Sequence, residues 1–171
     1  IEPRKNLSNL LKGYAILREK YPDAPKLVLA GHKGWLSEPI FQTLDDLKLG
    51  DAVQWLGGVP FEALPALYNG ANVHLLPSLY EGFGFPPLEA MACGTPTIVS
   101  DRGSLEEICG DAALYVDPDK PEAIAEGLYK LLTDSLTYND FEAKGTELVK
   151  QFNWESYSMQ TVDIYNRVWA R

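Results

Sequence analysis

The chain has 171 residues, 46% of them hydrophobic, and carries 24 acidic against 15 basic residues for a formal charge of -9. That length suits one domain, 1–171, burying ~70% of the surface its unfolded form would expose. The acidic balance and the absence of a basic run exclude a nucleic-acid or anionic-lipid surface, and no apolar run reaches the ~20 residues of a membrane span.

The opening segment Ile1 to Asn6 is a polar loop, after which Leu7, Leu10, Leu11, Tyr14 and Leu17 recur at helical spacing. Lys26 to Ala30 reads as the first strand, ended by Gly31, and an amphipathic helix follows from Leu36 to Lys48. Val53 to Leu56 is a short strand closed by Gly57-Gly58, and a helix runs from Glu62 to Asn69 with Pro65 in its first turn, where proline is tolerated. Val73 to Leu76 and Thr97 to Val99 are two more strands with a helix between them; Leu105 to Cys109 is a short helix and Ala113 to Val116 the last strand. From Pro121 onward the pattern is helical: Pro121 to Thr133, Thr137 to Phe152 and Trp154 to Trp169. The last of these carries Tyr157, Val162, Tyr165, Val168 and Trp169, more apolar positions than a solvated helix needs.

Strand and helix alternate throughout the first two thirds. That predicts an α/β fold, a Rossmann-like doubly wound parallel sheet flanked by helices, with a helical C-terminal region. In such sheets ligands sit outside the carboxyl ends of the strands, here the loops after Ala30, Leu56 and Leu76. Cys93 and Cys109 have no Cys-x-x-Cys spacing and read as buried free thiols of a reducing cytosol.

The loop after Leu76 is the most informative. Gly82-Phe83-Gly84 lets backbone approach a ligand closely, and Pro87 suits the first position of the next helix, with Pro86 biased away from helical geometry and Leu88 and Glu89 in the first turn. Free N–H groups and the positive end of a helix dipole suit a phosphate. Glu81 before the turn and Glu89 after it would repel that phosphate but can accept hydrogen bonds from sugar hydroxyls, so the expected ligand is a sugar joined to a phosphate.

Glu81 and Glu89, separated by seven residues, with GFG, PP and LEAMACGTP around them, resemble the Glu-x7-Glu signature of the retaining family 4 (group 1) glycosyltransferases. The resemblance runs from Glu2-Pro3-Arg4-Lys5-Asn6 to the final helix. It implies the C-terminal, donor-binding half of a two-domain GT-B enzyme, with an N-terminal acceptor domain as partner in the same enzyme. The family carries a short apolar strand just before an EPRKN-like segment, so the chain is expected to lack that first strand. The implied function is transfer of a hexose from a nucleoside diphosphate to an acceptor hydroxyl with retention of configuration.

By the same resemblance Glu89 accepts from the ribose hydroxyls, and Glu81 faces the donor sugar and stabilises its positive charge in the transition state. Backbone around Gly82, Phe83, Gly84, Phe85 and Leu88 contacts sugar hydroxyls and phosphates, and Gly57, Gly58 and Val59 pack against the nucleobase. Lys5 and Arg4 match the family's basic pair; cations fixed at the leaving diphosphate stabilise the transition state more than the ground state. His32 is placed at the sugar cleft, and His74, inside an apolar strand, reads as a satisfied core histidine.

No metal site and no cofactor are expected. Asp117-Pro-Asp119 has the spacing of a DxD metal pair but precedes Pro121 and a helix, where Asp119 reads as a cap. A Rossmann-type oxidoreductase would need a third glycine where Pro87 stands, and a nucleotide-sugar binding module without transferase activity is the other alternative. EPRKN, LPALY and LYEGFG look most like mannosyltransferase members, which leans the donor toward GDP-mannose over UDP-glucose. The expected location is cytoplasmic, with the intact enzyme peripheral at the inner membrane face.

Overall fold

A computed structural model describes residues 1–170. In chain order the regular elements are α1 (Leu7–Lys20), β1 (Leu27–Ala30), α2 (Glu38–Asp46), β2 (Val53–Gly57), α3 (Leu64–Gly70), β3 (His74–Leu76), α4 (Phe85–Ala92), β4 (Thr97–Ser100), α5 (Leu105–Cys109), β5 (Ala113–Val116), α6 (Pro121–Thr133), α7 (Ser135–Leu148) and α8 (Trp154–Trp169), with single 3-10 turns at several joints. All strand pairs are parallel, as the strand-helix alternation requires.

The hydrogen-bonded ladders fall into two groups, β1-β2 and β3-β4-β5. No described strand pairs β1 or β2 with β3. The N-terminal segment spans the interval at the carboxyl ends instead. Ile1 donates from its N-terminus to the His32 carbonyl at 2.6 Å and accepts from the Gly34 N–H at 2.8 Å, while the Leu79 N–H donates to the Arg4 carbonyl at 2.9 Å. Asn6, buried and in the left-handed region, donates its side-chain amide to the carbonyls of Pro77 and Pro118 at 3.1 and 2.7 Å. The segment bearing Arg4 and Lys5 is thereby tied to the loops after β1, β3 and β5.

β4 lies between β3 and β5 and all four of its residues are buried, which is why Thr97-Ile98-Val99-Ser100 shows no polar alternation. On one side of the sheet Leu11 and Leu17 of α1 meet Ile124, Leu128 and Leu131 of α6 over Ile98 and Val116; on the other, Leu88 and Met91 of α4 meet Leu105 and Cys109 of α5 over Leu76 and Val99. Both faces are covered, as in a doubly wound domain. Burial pushes the Cys109 thiol up to about 11, so it stays protonated and unreactive.

The limits of α2, α3 and α7 differ from the periodicity. α7 starts at Ser135, because the Asp134 side chain accepts from the Leu136 and Thr137 N–H groups, and it ends at Leu148 before a 3-10 turn. Asp119 does not cap α6: Lys120 holds that position and no side chain caps it. α8 has no buried residue, and its Trp154, Tyr157, Tyr165, Val168 and Trp169 are all exposed. Among the described residues no helix is long and apolar enough to cross a membrane.

Candidate functional site

The site is assembled at the carboxyl ends of the strands, on the loop between β3 and α4. α4 begins at Phe85, two residues before the position that Pro87 suggested. Gly84 sets that start: its φ of 105° belongs to the left-handed side, and a Cβ there would lie 2.7 Å from Leu105 Cδ2. Pro86 and Pro87 then occupy the second and third helical positions, where no intrahelical N–H bond is lost. The pre-proline bias against helical geometry is overridden by this cap and by burial of Leu88 and Met91. Glu89 consequently falls beyond the first turn, outside the reach of the dipole argument.

The N–H groups of Gly82, Phe83, Gly84 and Phe85 make no hydrogen bond to another described residue, and the two prolines after them have none to offer. The carbonyls of this loop are engaged: the Ser104 hydroxyl donates to Glu81 O at 2.9 Å and to Phe83 O at 3.3 Å. Phe83 is half-buried and packs against Phe85 and Phe152, with ring centroids at 4.8 and 6.0 Å, while Phe85 is exposed. The ring of Phe83 thus anchors the turn. Gly82 faces open space.

Three of the expected residues come together. The Glu81 carboxylate, 8% exposed, accepts from Arg4 Nη1 at 2.6 Å, from Lys5 Nζ at 2.7 Å and from the Ser78 hydroxyl at 2.7 Å. Burial by itself would raise the Glu81 pKa; the bonds from Lys5, Ser78 and Arg4 outweigh it and hold the group below its usual range. Arg4 is nearly saturated: Nε and Nη2 donate to Glu2 Oε1 at 3.1 and 2.6 Å, and Nη1 also reaches the Tyr80 carbonyl at 2.8 Å. Of the five guanidinium N–H groups one is uncommitted, whereas Lys5 keeps two. Glu2 in turn accepts from the Trp35 indole at 3.3 Å.

Glu89 is held by a different neighbour, Tyr68 of α3, whose hydroxyl donates to Glu89 Oε2 at 2.8 Å. Gly58 lies beneath the His32 imidazole, so close that a Cβ would sit 2.0 Å from its Cε1 atom. His32 therefore belongs with Gly58 and the adjoining Val59 at the ends of β1 and β2, rather than with the Arg4, Lys5 and Glu81 group. His74 does not conform to the satisfied core reading, because its Nδ1 is buried without a hydrogen-bond partner. Burial lowers its pKa to about 4, reinforced by the Lys5 charge.

Asp117 and Asp119 are engaged by cations: Arg102 Nη2 lies 3.3 Å from Asp117 and 2.8 Å from Asp119, and Lys120 Nζ lies 3.0 Å from Asp117. Sequence reading missed Tyr68, Ser78, Ser104 and Glu2 as parts of the site. Only Ser78 and Glu2, lying beside Glu81 and Arg4 in sequence, left a signal that could have been used.

The family model described as "Glycosyl transferases group 1" matches residues 1–148. The chain belongs to the group 1 glycosyltransferases. It is 40% identical over 169 residues to "O-antigen chain mannosyltransferase B" of Escherichia coli, an alignment covering 96% of this chain and 43% of that protein. Among solved structures it superposes on "Sucrose-phosphate synthase (tll1590) from Thermosynechococcus elongatus" with a TM-score of 0.87 and 32% identity, covering 99% of this chain and 43% of that one. A likeness of fold alone extends to "Anabaena Alr3699/HepE in complex with UDP and glucose", with a TM-score of 0.87 at 19% identity, 98% of this chain and 46% of that one. This glycosyltransferase chain thus spans less than half the length of each of these proteins.

Proposed function

We propose that the chain is the donor-binding part of a retaining hexosyltransferase, whose substrate is a nucleoside diphosphate sugar, GDP-mannose ahead of UDP-hexose. The observation that carries this reading is the row of unpaired N–H groups from Gly82 to Phe85, set between the Glu81 cluster and Glu89. Backbone donors at a helix start favour an anion at fixed positions. Lys5, with two uncommitted N–H groups on a flexible stem, bridges Glu81 and a phosphate oxygen, while Arg4, locked by Glu2, adds charge with little movement.

As the sugar-phosphate bond breaks, negative charge grows on the diphosphate and positive charge on the anomeric carbon. Lys5, Arg4 and the loop amides answer the first and the Glu81 carboxylate, kept ionised by its partners, answers the second. Glu89 holds the ribose, and Gly58 and Val59 with His32 form the floor for the base. The work is cytoplasmic, at the inner membrane face in the intact enzyme.

The acceptor is held by an N-terminal domain of the same enzyme. Relatives more than twice as long as this chain support that division, as does the bare apolar face of α8, which suits contact with the second domain. Holding two reactants in register can contribute roughly 7–11 kcal/mol to the rate. The chain alone should therefore hydrolyse donor slowly and transfer sugar only when the second domain is supplied, in the same chain or in complex. Transfer by the chain alone at ~1 per second or faster would refute this division, and stabilisation by NAD in place of nucleotide sugars would favour an oxidoreductase.

A further inference from the structure

We infer that Tyr68 is a positioning residue that aims the Glu89 carboxylate at the ribose of the donor, an inference resting on the ribose reading of Glu89. Glu89 is half-buried on α4, and among the described residues the only hydrogen bond of its side chain is the one from the Tyr68 hydroxyl to Oε2. A glutamate with no partner would sample several rotamers and lose that freedom when it engaged two hydroxyls. The phenol removes this cost in advance. It fixes one oxygen and leaves Oε1, with the second lone pair of Oε2, to accept from the sugar.

Tyr68 is itself seated from both sides. Its backbone carbonyl accepts from the Thr95 hydroxyl at 2.6 Å, and Thr95, 3% exposed, bonds through its N–H to the Ala90 carbonyl of α4 at 3.0 Å. The ring meets the His74 ring edge-on, with centroids 5.7 Å apart. The donor of the Glu89 bond is thus fixed to the helix that carries Glu89. Burial, with the adjacent carboxylate, raises the phenol pKa far above its ordinary value, so the hydroxyl remains a donor throughout the neutral range.

A bond that merely tethered α3 to α4 would affect every ligand alike. Positioning acts only on ligands with ribose hydroxyls, and this separates the two. Affinities are measured by calorimetry for GDP and 2′,3′-dideoxy-GDP, or for the uridine pair if UDP binds more tightly. Tyr68→Phe, which removes one oxygen and keeps the ring, should weaken the ribonucleotide roughly 3- to 10-fold and leave the dideoxy form unchanged. Glu89→Ala should weaken the ribonucleotide by roughly 10- to 100-fold. The double variant should bind no more weakly than Glu89→Ala, because Tyr68 acts through that carboxylate.

Equal losses for both nucleotides, or no loss for the ribonucleotide, would overturn the role of Tyr68. A wild-type chain that binds both nucleotides equally and is indifferent to Glu89→Ala would instead overturn the ribose reading beneath it. Should Tyr68→Phe not fold, Thr95→Val loosens the seat of Tyr68 without touching its phenol. It should shift the ratio of the two affinities in the same direction, and an unchanged ratio would sink the proposal.

Discussion

His74 shows how one side chain can set a pH dependence for the whole fold. Its imidazole is neutral in the native state, with a pKa near 4, against 6.5 for an unperturbed histidine. Between these values the unfolded chain binds more protons than the folded one, so stability rises with pH across that window and its contribution is complete above 6.5. Glu81, held below its ordinary 4.5, likewise favours the native state above that value and loses its contribution in more acidic solution. His74→Leu, which keeps an apolar side chain and removes the unpaired Nδ1, should flatten the melting temperature between pH 4 and 6.5 and leave the steeper fall at lower pH. An unchanged slope in that window would show that His74 is not its source.

At this scale the two glutamates were legible because glycines and prolines with no other evident purpose surround them. Tyr68 was not, since its link to Glu89 spans 21 residues and exists only once α3 packs on α4. Nor did the sequence announce that Glu81 pairs with both Arg4 and Lys5 in the free protein. Charge pairs between distant segments depend on loop paths that periodicity does not encode.

At the scale of elements, every predicted strand and helix forms, because each carries an apolar run or an apolar period of its own. The misplacements have local causes. The start of α4 is governed by the backbone of Gly84 rather than by Pro87, and that of α7 by the Asp134 side chain. Gly84→Ala tests the first of these. An L-residue at φ 105°, with its Cβ 2.7 Å from Leu105, combines backbone strain with overpacking and should cost ~2–4 kcal/mol in a denaturant titration. A change under ~0.5 kcal/mol, the range of neutral surface changes, would show that the turn is not fixed by this glycine.

The separation of β1-β2 from β3-β4-β5 was less legible, since strand order is a tertiary property. The N-terminal segment that bonds to both the His32–Gly34 and the Pro77–Leu79 loops brings Arg4 and Lys5 to Glu81 across that interval. The division of the sheet and the assembly of the cationic pair are therefore one feature of the fold.

For the whole molecule, a chain of net charge -9 places two of its 15 basic residues, Arg4 and Lys5, beside the loop that the account assigns to the donor. Arg4 and Lys5 meet the loop amides at one end of the sheet, while Asp117 and Asp119 are occupied by Arg102 and Lys120. The α8 face and the span of the relatives both suit a domain that works against a partner. Central to the account is that this surface holds a nucleotide sugar through backbone amides and fixed cations, with no metal ion needed. Calorimetric titration of GDP-mannose and UDP-glucose into the chain, with EDTA present, tests this most directly. The account predicts saturable one-to-one binding of at least one of them, unaffected by the chelator and weakened by salt, as screening of a diphosphate's charge requires. Failure of both to bind, or binding that appears only when magnesium or manganese is added, would contradict it.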